Sequence, residues 1–278
     1  MIRIACQQLA PVIGDLAANR VIALAAIREA VDHGADVVVL PELMTSGYMF
    51  ESPQEAAGVA IGPGHEILVE WAAEAARADI VLAGGFCELG DDDRIYNSAA
   101  VFDVTGLRAV YRKLHLWDRE KLIFTAGSAA PPVLDTRIGR VAVIICYDLE
   151  FPELTRSVAL AGTQLLLVPT NWPLVPRPEG EHPPEAMIAM VTARINRMAV
   201  ACADRVGRER GQEWTGGTTI VGVDGWMAAE SRIPGLVAAD VDLEPALDKR
   251  LTDHVDAFGD RRPELYTAVT RAETETSA

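Results

Sequence analysis

The sequence predicts an α/β fold with mixed sheets, folded as one domain. Short apolar runs of strand length alternate with longer segments of helical periodicity. Turn signals between some of the runs add antiparallel hairpins to that alternation. No Ser/Gly linker, compositional break or tandem repeat divides the 278 residues, half of which are hydrophobic. That is enough chain for a substantial core.

Ile2 to Cys6 is the first strand. Asp15 suits the cap of a helix reaching about His33, with Leu16, Val21, Ile22, Leu24, Ile27 and Val31 apolar and Gly34 ending it. Ala35 to Leu40 is a buried strand closed by Pro41-Glu42-Leu43, and Gly58 to Gly64 is a Gly/Pro-rich loop. His65 to Ala76 is a helix and Ile80 to Glu88 a strand. Asp91-Asp92-Asp93 is a solvated turn. Asn97 to Val104 and Leu107 to Arg112 form a hairpin over Thr105-Gly106, and a loop from Leu114 to Gly127 follows.

Val141 to Ile145 are five apolar residues of a buried strand, and Cys146 stands at its C-terminal edge. Pro152 suits the first turn of a helix, which needs no N–H there. That helix runs through Leu154, Val158 and Leu160 to Ala161 and stops at Gly162. A thiol on such an elbow is lifted out of the sheet, and the backbone N–H groups after it point at whatever it attacks. Lone cysteines are more commonly buried structural thiols. The polar Tyr147-Asp148-Leu149-Glu150 behind Cys146 speaks against an apolar pocket.

Gln164 to Val168 is a further buried strand ending in Pro169-Thr170-Asn171-Trp172. The next loop, to about Pro184, carries five prolines counted from Pro173 and is too stiff and polar for core. Glu185 to Met198 is a helix. Ala199 to Ala203 and Thr218 to Val223 are strands, and Asp224-Gly225 signals a hairpin turn. Leu236 to Val241 is the last clear strand, and a short helix is expected at Pro245 to Leu251. These elements make a single domain over residues 1–270, and the polar tail 271–278 is expected to be disordered.

A net charge of −15 disfavours nucleic acid and anionic membranes as partners. The four cysteines include no C-x-x-C pair, and three lie in or beside apolar runs, which suits free thiols in a reducing cytoplasm. No stretch approaches the roughly 18 apolar residues of a membrane span. The N-terminal strand turns polar too soon for a signal peptide. None of the five histidines is paired at metal-ligand spacing, so no metal site is expected.

Three reactive side chains stand at strand ends, where α/β sheets place their ligand crevices: Glu42, Lys113 and Cys146. Singly, Glu42 and Lys113 read as surface charges; together with Cys146 they make a coherent chemistry. A carboxylate can take the thiol proton, and the thiolate is the competent nucleophile. An ammonium and the N–H after the cysteine can hold a tetrahedral oxyanion. Glu120, in the loop after Lys113, can orient a substrate, although alone it reads as a surface residue.

With these residues in place, the chain resembles the nitrilase (carbon–nitrogen hydrolase) superfamily. The matching pieces are Pro41-Glu42-Leu43, Tyr111 to Leu116, and Ile145 to Glu153, in the family's order and at similar spacing. Ala193 to Asn196, Gly217 to Val221 and Arg261 to Tyr266 extend the resemblance from Ile2 to about Tyr266. It implies a four-layer αββα sandwich, Glu42 as general base and acid, Lys113 as oxyanion stabiliser, Cys146 as nucleophile, and Glu120 as the second glutamate beside the substrate amide. It also implies a homodimer or larger homo-oligomer and no cofactor.

Cys146-Tyr147-Asp148 differs from the Cys-Trp-Glu usual in true nitrilases and is similar to amidase branches, so a small carboxamide is the expected substrate. Nitriles and N-carbamoyl amines are the alternatives. Tyr48, Trp117, Tyr147, Asn171, Trp172 and Trp214 are the candidate substrate contacts.

Overall fold

The structure, a computed structural model of the chain, describes residues 1–270; the tail from Arg271 lies outside the described residues. In chain order the strands are β1 (Ile2–Gln8), β2 (Val37–Val39), β3 (Val81–Leu89), β4 (Ile95–Asp103), β5 (Gly106–Arg112), β6 (Val133–Thr136), β7 (Gly139–Val143), β8 (Leu165–Pro169), β9 (Ala199–Ala203), β10 (Arg208–Glu209), β11 (Gln212–Glu213), β12 (Thr219–Val221), β13 (Met227–Glu230), β14 (Gly235–Val241), β15 (Arg250–Thr252) and β16 (Val255–Asp256). The helices are α1 (Leu16–Asp32), α2 (Pro53–Ala57), α3 (Glu66–Ala78), α4 (Glu120–Ile123), α5 (Pro152–Leu160) and α6 (Pro184–Asn196).

Two six-stranded sheets run β14-β1-β2-β3-β4-β5 and β13-β12-β9-β8-β7-β6. Each has a parallel centre, β1-β2-β3 in one and β7-β8-β9 in the other, with antiparallel strands outside it. Side chains alternate between faces along a strand, and here both faces are buried. Ile4, Cys6, Val37 and Val39 join the core shared with the second sheet. Ala5 and Val38, between them in sequence, pack with Ile27 of α1 and Trp71 of α3. Helices α5 and α6 cover the second sheet, with Val158, Ala189 and Ala193 in its core. The result is a four-layer αββα sandwich.

The differences from the sequence reading have local causes. β7 stops at Val143 rather than Ile145, because the Ile145 N–H donates to the Asp148 carboxylate at 3.1 Å instead of to a strand. The helix expected at Pro245 to Leu251 is a single 3₁₀ turn, Glu244–Leu247. Asp248 there accepts the Arg250 N–H and binds its guanidinium, which turns the chain out of the helix. Strand β6, helix α2 and the β10–β11 hairpin are too short and too polar to show a period.

Candidate active site

The site is built from strand ends in both sheets: Glu42 and Cys146 lie beyond the parallel strands β2 and β7, and Lys113 beyond the antiparallel edge strand β5. Beyond β2, Leu43 has φ of +49°, so the chain turns sharply directly after Glu42. Gly85 of β3 makes room for that turn: a Cβ at Gly85 would stand 2.4 Å from the Leu43 nitrogen. Lys113 follows β5, and its N–H donates to the Asn97 carbonyl of β4 at 2.9 Å. Both side chains are fully buried. Cys146 opens a 3₁₀ turn, Cys146–Glu150, with φ of +48°, a strained conformation for a residue with a Cβ. It is 7% exposed.

The polar groups form one chain of contacts. Glu42 Oε1 accepts from Lys113 Nζ and from Asn97 Nδ2, each at 2.7 Å. Lys113 Nζ also donates to Glu120 Oε1 at 2.8 Å, and the Tyr48 hydroxyl donates to that same oxygen at 2.5 Å. The Trp117 N–H donates to Glu120 Oε2 at 3.1 Å. Glu42 Oε2, buried, has no partner among the described residues. The Cys146 sulfur lies within the electrostatic reach of Glu42, Lys113 and Glu120.

Burial pushes the Glu42 carboxyl up to about 7; the charge of Glu120 adds to this, while Lys113 and Asn97 oppose it. Burial also works against the Lys113 ammonium, but the Glu120 and Glu42 charges outweigh it and hold its pKa well above the ordinary value. Burial, then Glu42, pushes the Cys146 thiol well up, with Lys113 and the Asn171 N–H pulling the other way. Glu42 thus has one oxygen held and one free, in the electrostatic reach of a thiol whose pKa burial raises. Such a pair can pass a proton as the sulfur attacks an electrophile.

Asp148, fully buried, ties the elbow to the Lys113 loop. Its Oδ2 accepts from the Tyr111 hydroxyl at 2.8 Å and from the Ile145 N–H, and its Oδ1 accepts from the His115 N–H at 3.0 Å. His115 Nδ1 lies 2.8 Å from the same Oδ1. Neither this tie nor the Asn97 brace was visible in the sequence. Asp148 stood inside the elbow motif, but nothing there announced which partners it would bind.

A cavity of about 80 Å³ opens beside Glu120. Tyr48, Trp117 and Trp214 line it, with Phe50, Phe124 and Pro173 among the other walls. The other candidates lie elsewhere. Tyr147 is wedged edge-on between the rings of Trp117 and Phe151. Trp172 is buried against Gly217, and its backbone N–H donates to Asp204 Oδ1 at 2.9 Å. Asn171 Nδ2 donates to the Glu42 carbonyl at 3.0 Å, leaving its buried Oδ1 without a partner among the described residues. Among the described residues, no group of three or more His, Cys, Asp or Glu is placed to hold a metal ion, and no helix is long and apolar enough to cross a membrane.

The model of the carbon–nitrogen hydrolase family matches residues 3–246. A protein named nitrilase from Pyrococcus abyssi is 34% identical over 270 residues, covering 96% of this chain and 99% of its own. A chloroplastic omega-amidase from Arabidopsis thaliana is 32% identical over 262 residues, covering 88% of this chain and 68% of its own. Among solved structures, a double mutant of an amidase from Nesterenkonia sp. AN1, in complex with acrylamide, superimposes with a TM-score of 0.81 at 28% identity, covering 96% of each chain. Another structure of that amidase shows acrylamide added to its active-site cysteine.

Proposed function

We propose that the chain, which belongs to the carbon–nitrogen hydrolase family, cleaves small carboxamides to the carboxylic acid and ammonia through a thioester on Cys146. Its class, hydrolysis of non-peptide C–N bonds, is that of the family. The observation that carries the finer reading is the Glu42 carboxylate, held on one oxygen by Lys113 and Asn97 and free on the other, within reach of the Cys146 charge.

Glu42 Oε2 takes the thiol proton as the sulfur bonds to the carbonyl carbon. The oxyanion that forms is held by the Lys113 ammonium and the Tyr147 N–H. Glu42 then returns the proton to nitrogen, the C–N bond breaks and ammonia leaves. Water attacks the thioester, giving its proton to Glu42. The second tetrahedral intermediate expels the Cys146 sulfur, which recovers that proton, and the acid departs. Glu120, fastened by Lys113, Tyr48 and the Trp117 N–H, fixes the ammonium and borders the cavity. The unpartnered Asn171 Oδ1 suits an amide N–H donor.

The aromatic cavity of about 80 Å³ favours a short, uncharged acyl group. The preference for amides rests on Tyr147-Asp148 after the cysteine and on the likeness to the Nesterenkonia amidase. The nitrilase from Pyrococcus abyssi keeps nitriles as the rival substrate. The test is kcat/KM for propionamide, propionitrile and an N-carbamoyl amine on the purified protein. The amide is expected to lead, and a nitrile value equal to or above it would overturn the amidase assignment. The same reading includes a homodimer or larger homo-oligomer in the cytoplasm. Exposed Leu160, Met187, Val191 and Ile195 on α5 and α6 support assembly, and a monomeric mass in solution would remove that part.

A further inference from the structure

We propose that the buried ion pair between Arg205 and Glu209 is a positioning pair for the acyl end of the site, setting the two adjoining wall rings of Tyr48 and Trp214. The inference rests on the amidase reading and extends it to acyl-group selection. Arg205 follows β9, Glu209 lies in β10, and Arg205 Nη2 meets Glu209 Oε1 at 3.0 Å with both side chains almost wholly buried. Arg205 Nη2 also donates to the Pro11 carbonyl at 3.1 Å, which holds the guanidinium against the first sheet's side of the molecule.

The pair reaches both walls. Glu209 Oε2 accepts the N–H groups of Tyr48 and Met49 at 2.9 and 2.7 Å. Tyr48 is thus held by its backbone at one end and by Glu120, through its hydroxyl, at the other. Gly47 allows this approach: its φ is +76°, and a Cβ there would stand 2.8 Å from Glu209 Oε1. On the adjoining wall, the Arg205 guanidinium carbon stands 4.7 Å from the Trp214 ring centre, and that ring meets Tyr48 edge-on at 5.2 Å. The hairpin turn adds a grip, since Arg210 Nη1 donates to the Met49 carbonyl at 2.9 Å.

A buried pair of this kind is poor evidence for stability, because desolvation offsets most of the attraction. Arg205 is not even saturated: its Nε and Nη1 are buried without partners among the described residues. What the arrangement does supply is geometry. One carboxylate and one guanidinium fix two rings contributed by distant parts of the chain, and one of those rings reaches Glu120 and, through it, Lys113.

The test compares wild type with Glu209→Gln and with the double variant Arg205→Met, Glu209→Gln, which leaves no guanidinium stranded. For each, kcat and KM are measured on acetamide, propionamide, butyramide and benzamide, together with Tm. A misplaced wall of about 1 Å is worth on the order of 100-fold in rate. We expect kcat/KM for the best amide to fall by about that factor, with a flattened preference across the four acyl groups in both variants. An unchanged acyl preference and unchanged kcat/KM in folded variants, with only Tm lowered, would overturn the inference. If wild type hydrolyses none of the amides, the amidase reading fails on its own. Saturable alkylation of Cys146 by iodoacetamide then decides the positioning role. The half-saturating concentration is expected to rise about tenfold in both variants, equivalent to about 1.4 kcal/mol, and equality with wild type would contradict the role.

Discussion

Glu42 Oε1 accepts a hydrogen bond from Lys113 Nζ at 2.7 Å, with both side chains fully buried, although 71 positions separate them in the chain. A buried ammonium needs close anionic partners, and here it has two, since Glu120 stands 2.8 Å away on its other side. The lysine therefore locks one oxygen of Glu42 and leaves the other for chemistry. Under the proposed mechanism, the held oxygen is structural and the unpartnered one is the base, and the predictions that follow test this.

The pH dependence follows from Glu42. Its carboxyl is pushed up to about 7 by burial, and it must be ionised to take the thiol proton. The expected kcat/KM profile falls tenfold per pH unit below about 7. A native-state pKa above the unfolded one also means that ionisation costs stability. Wild type should lose stability relative to Glu42→Gln as pH rises from about 4.5 to about 7, and the two should run parallel below that window. A kcat/KM flat down to pH 5 would remove Glu42 as the base.

Cys146 should be the cysteine whose alkylation ends activity. Burial pushes Cys6, Cys87 and Cys202 far up, and none of them touches the Glu42–Lys113 pair. Peptide mapping after brief iodoacetamide treatment is expected to find the label on Cys146 in proportion to lost activity. Full activity in Cys146→Ala would sink the nucleophile assignment.

Tyr48→Phe removes the hydroxyl donated to Glu120 while keeping the ring against Trp214. Losing one donor that positions a charged group should lower kcat/KM by roughly 10- to 100-fold, with Tm little changed. Steady-state kinetics on propionamide measures this, and a wild-type value would show Glu120 to be held well enough by Lys113 and the Trp117 N–H.

Asp148→Asn should cost stability and activity together. The carboxylate accepts from Tyr111, Ile145 and the His115 backbone, and the amide would turn an NH₂ toward donors. A loss of roughly 3 kcal/mol is expected from charge-assisted hydrogen bonds broken in a buried site, readable by urea denaturation. An equally stable variant with wild-type turnover would show the elbow to be shaped by its backbone alone.

The parts legible in the sequence are those with a local signature. The apolar strands, the capped helix after Asp15 and the strand–turn–helix at Cys146 each follow from residues within about ten positions. Glu42, Lys113 and Cys146 could be grouped because each closes a strand run. The parts that were not legible are long-range pairings of polar residues. Glu209 lies 161 positions from the Tyr48 N–H it holds, in a polar stretch that reads as loop. Two-residue strands such as β10 and β11 have no measurable period, and their register comes from the turn at Arg210-Gly211, both with positive φ. The aromatic candidates divided for a similar reason. Tyr48, Trp117 and Trp214 line the cavity, while Trp172, on the same apolar criterion, packs under Gly217.

A covalent thioester on Cys146, formed from an amide with Glu42 moving the protons, can be trapped chemically. Enzyme mixed with propionamide and quenched in acid within one turnover would be digested and its peptides weighed. The mass of one propionyl group is expected on the peptide carrying Cys146, accumulating in wild type and absent from Cys146→Ala. Turnover of propionamide with no acyl group on Cys146 at any quench time, or with turnover retained in Cys146→Ala, would contradict it.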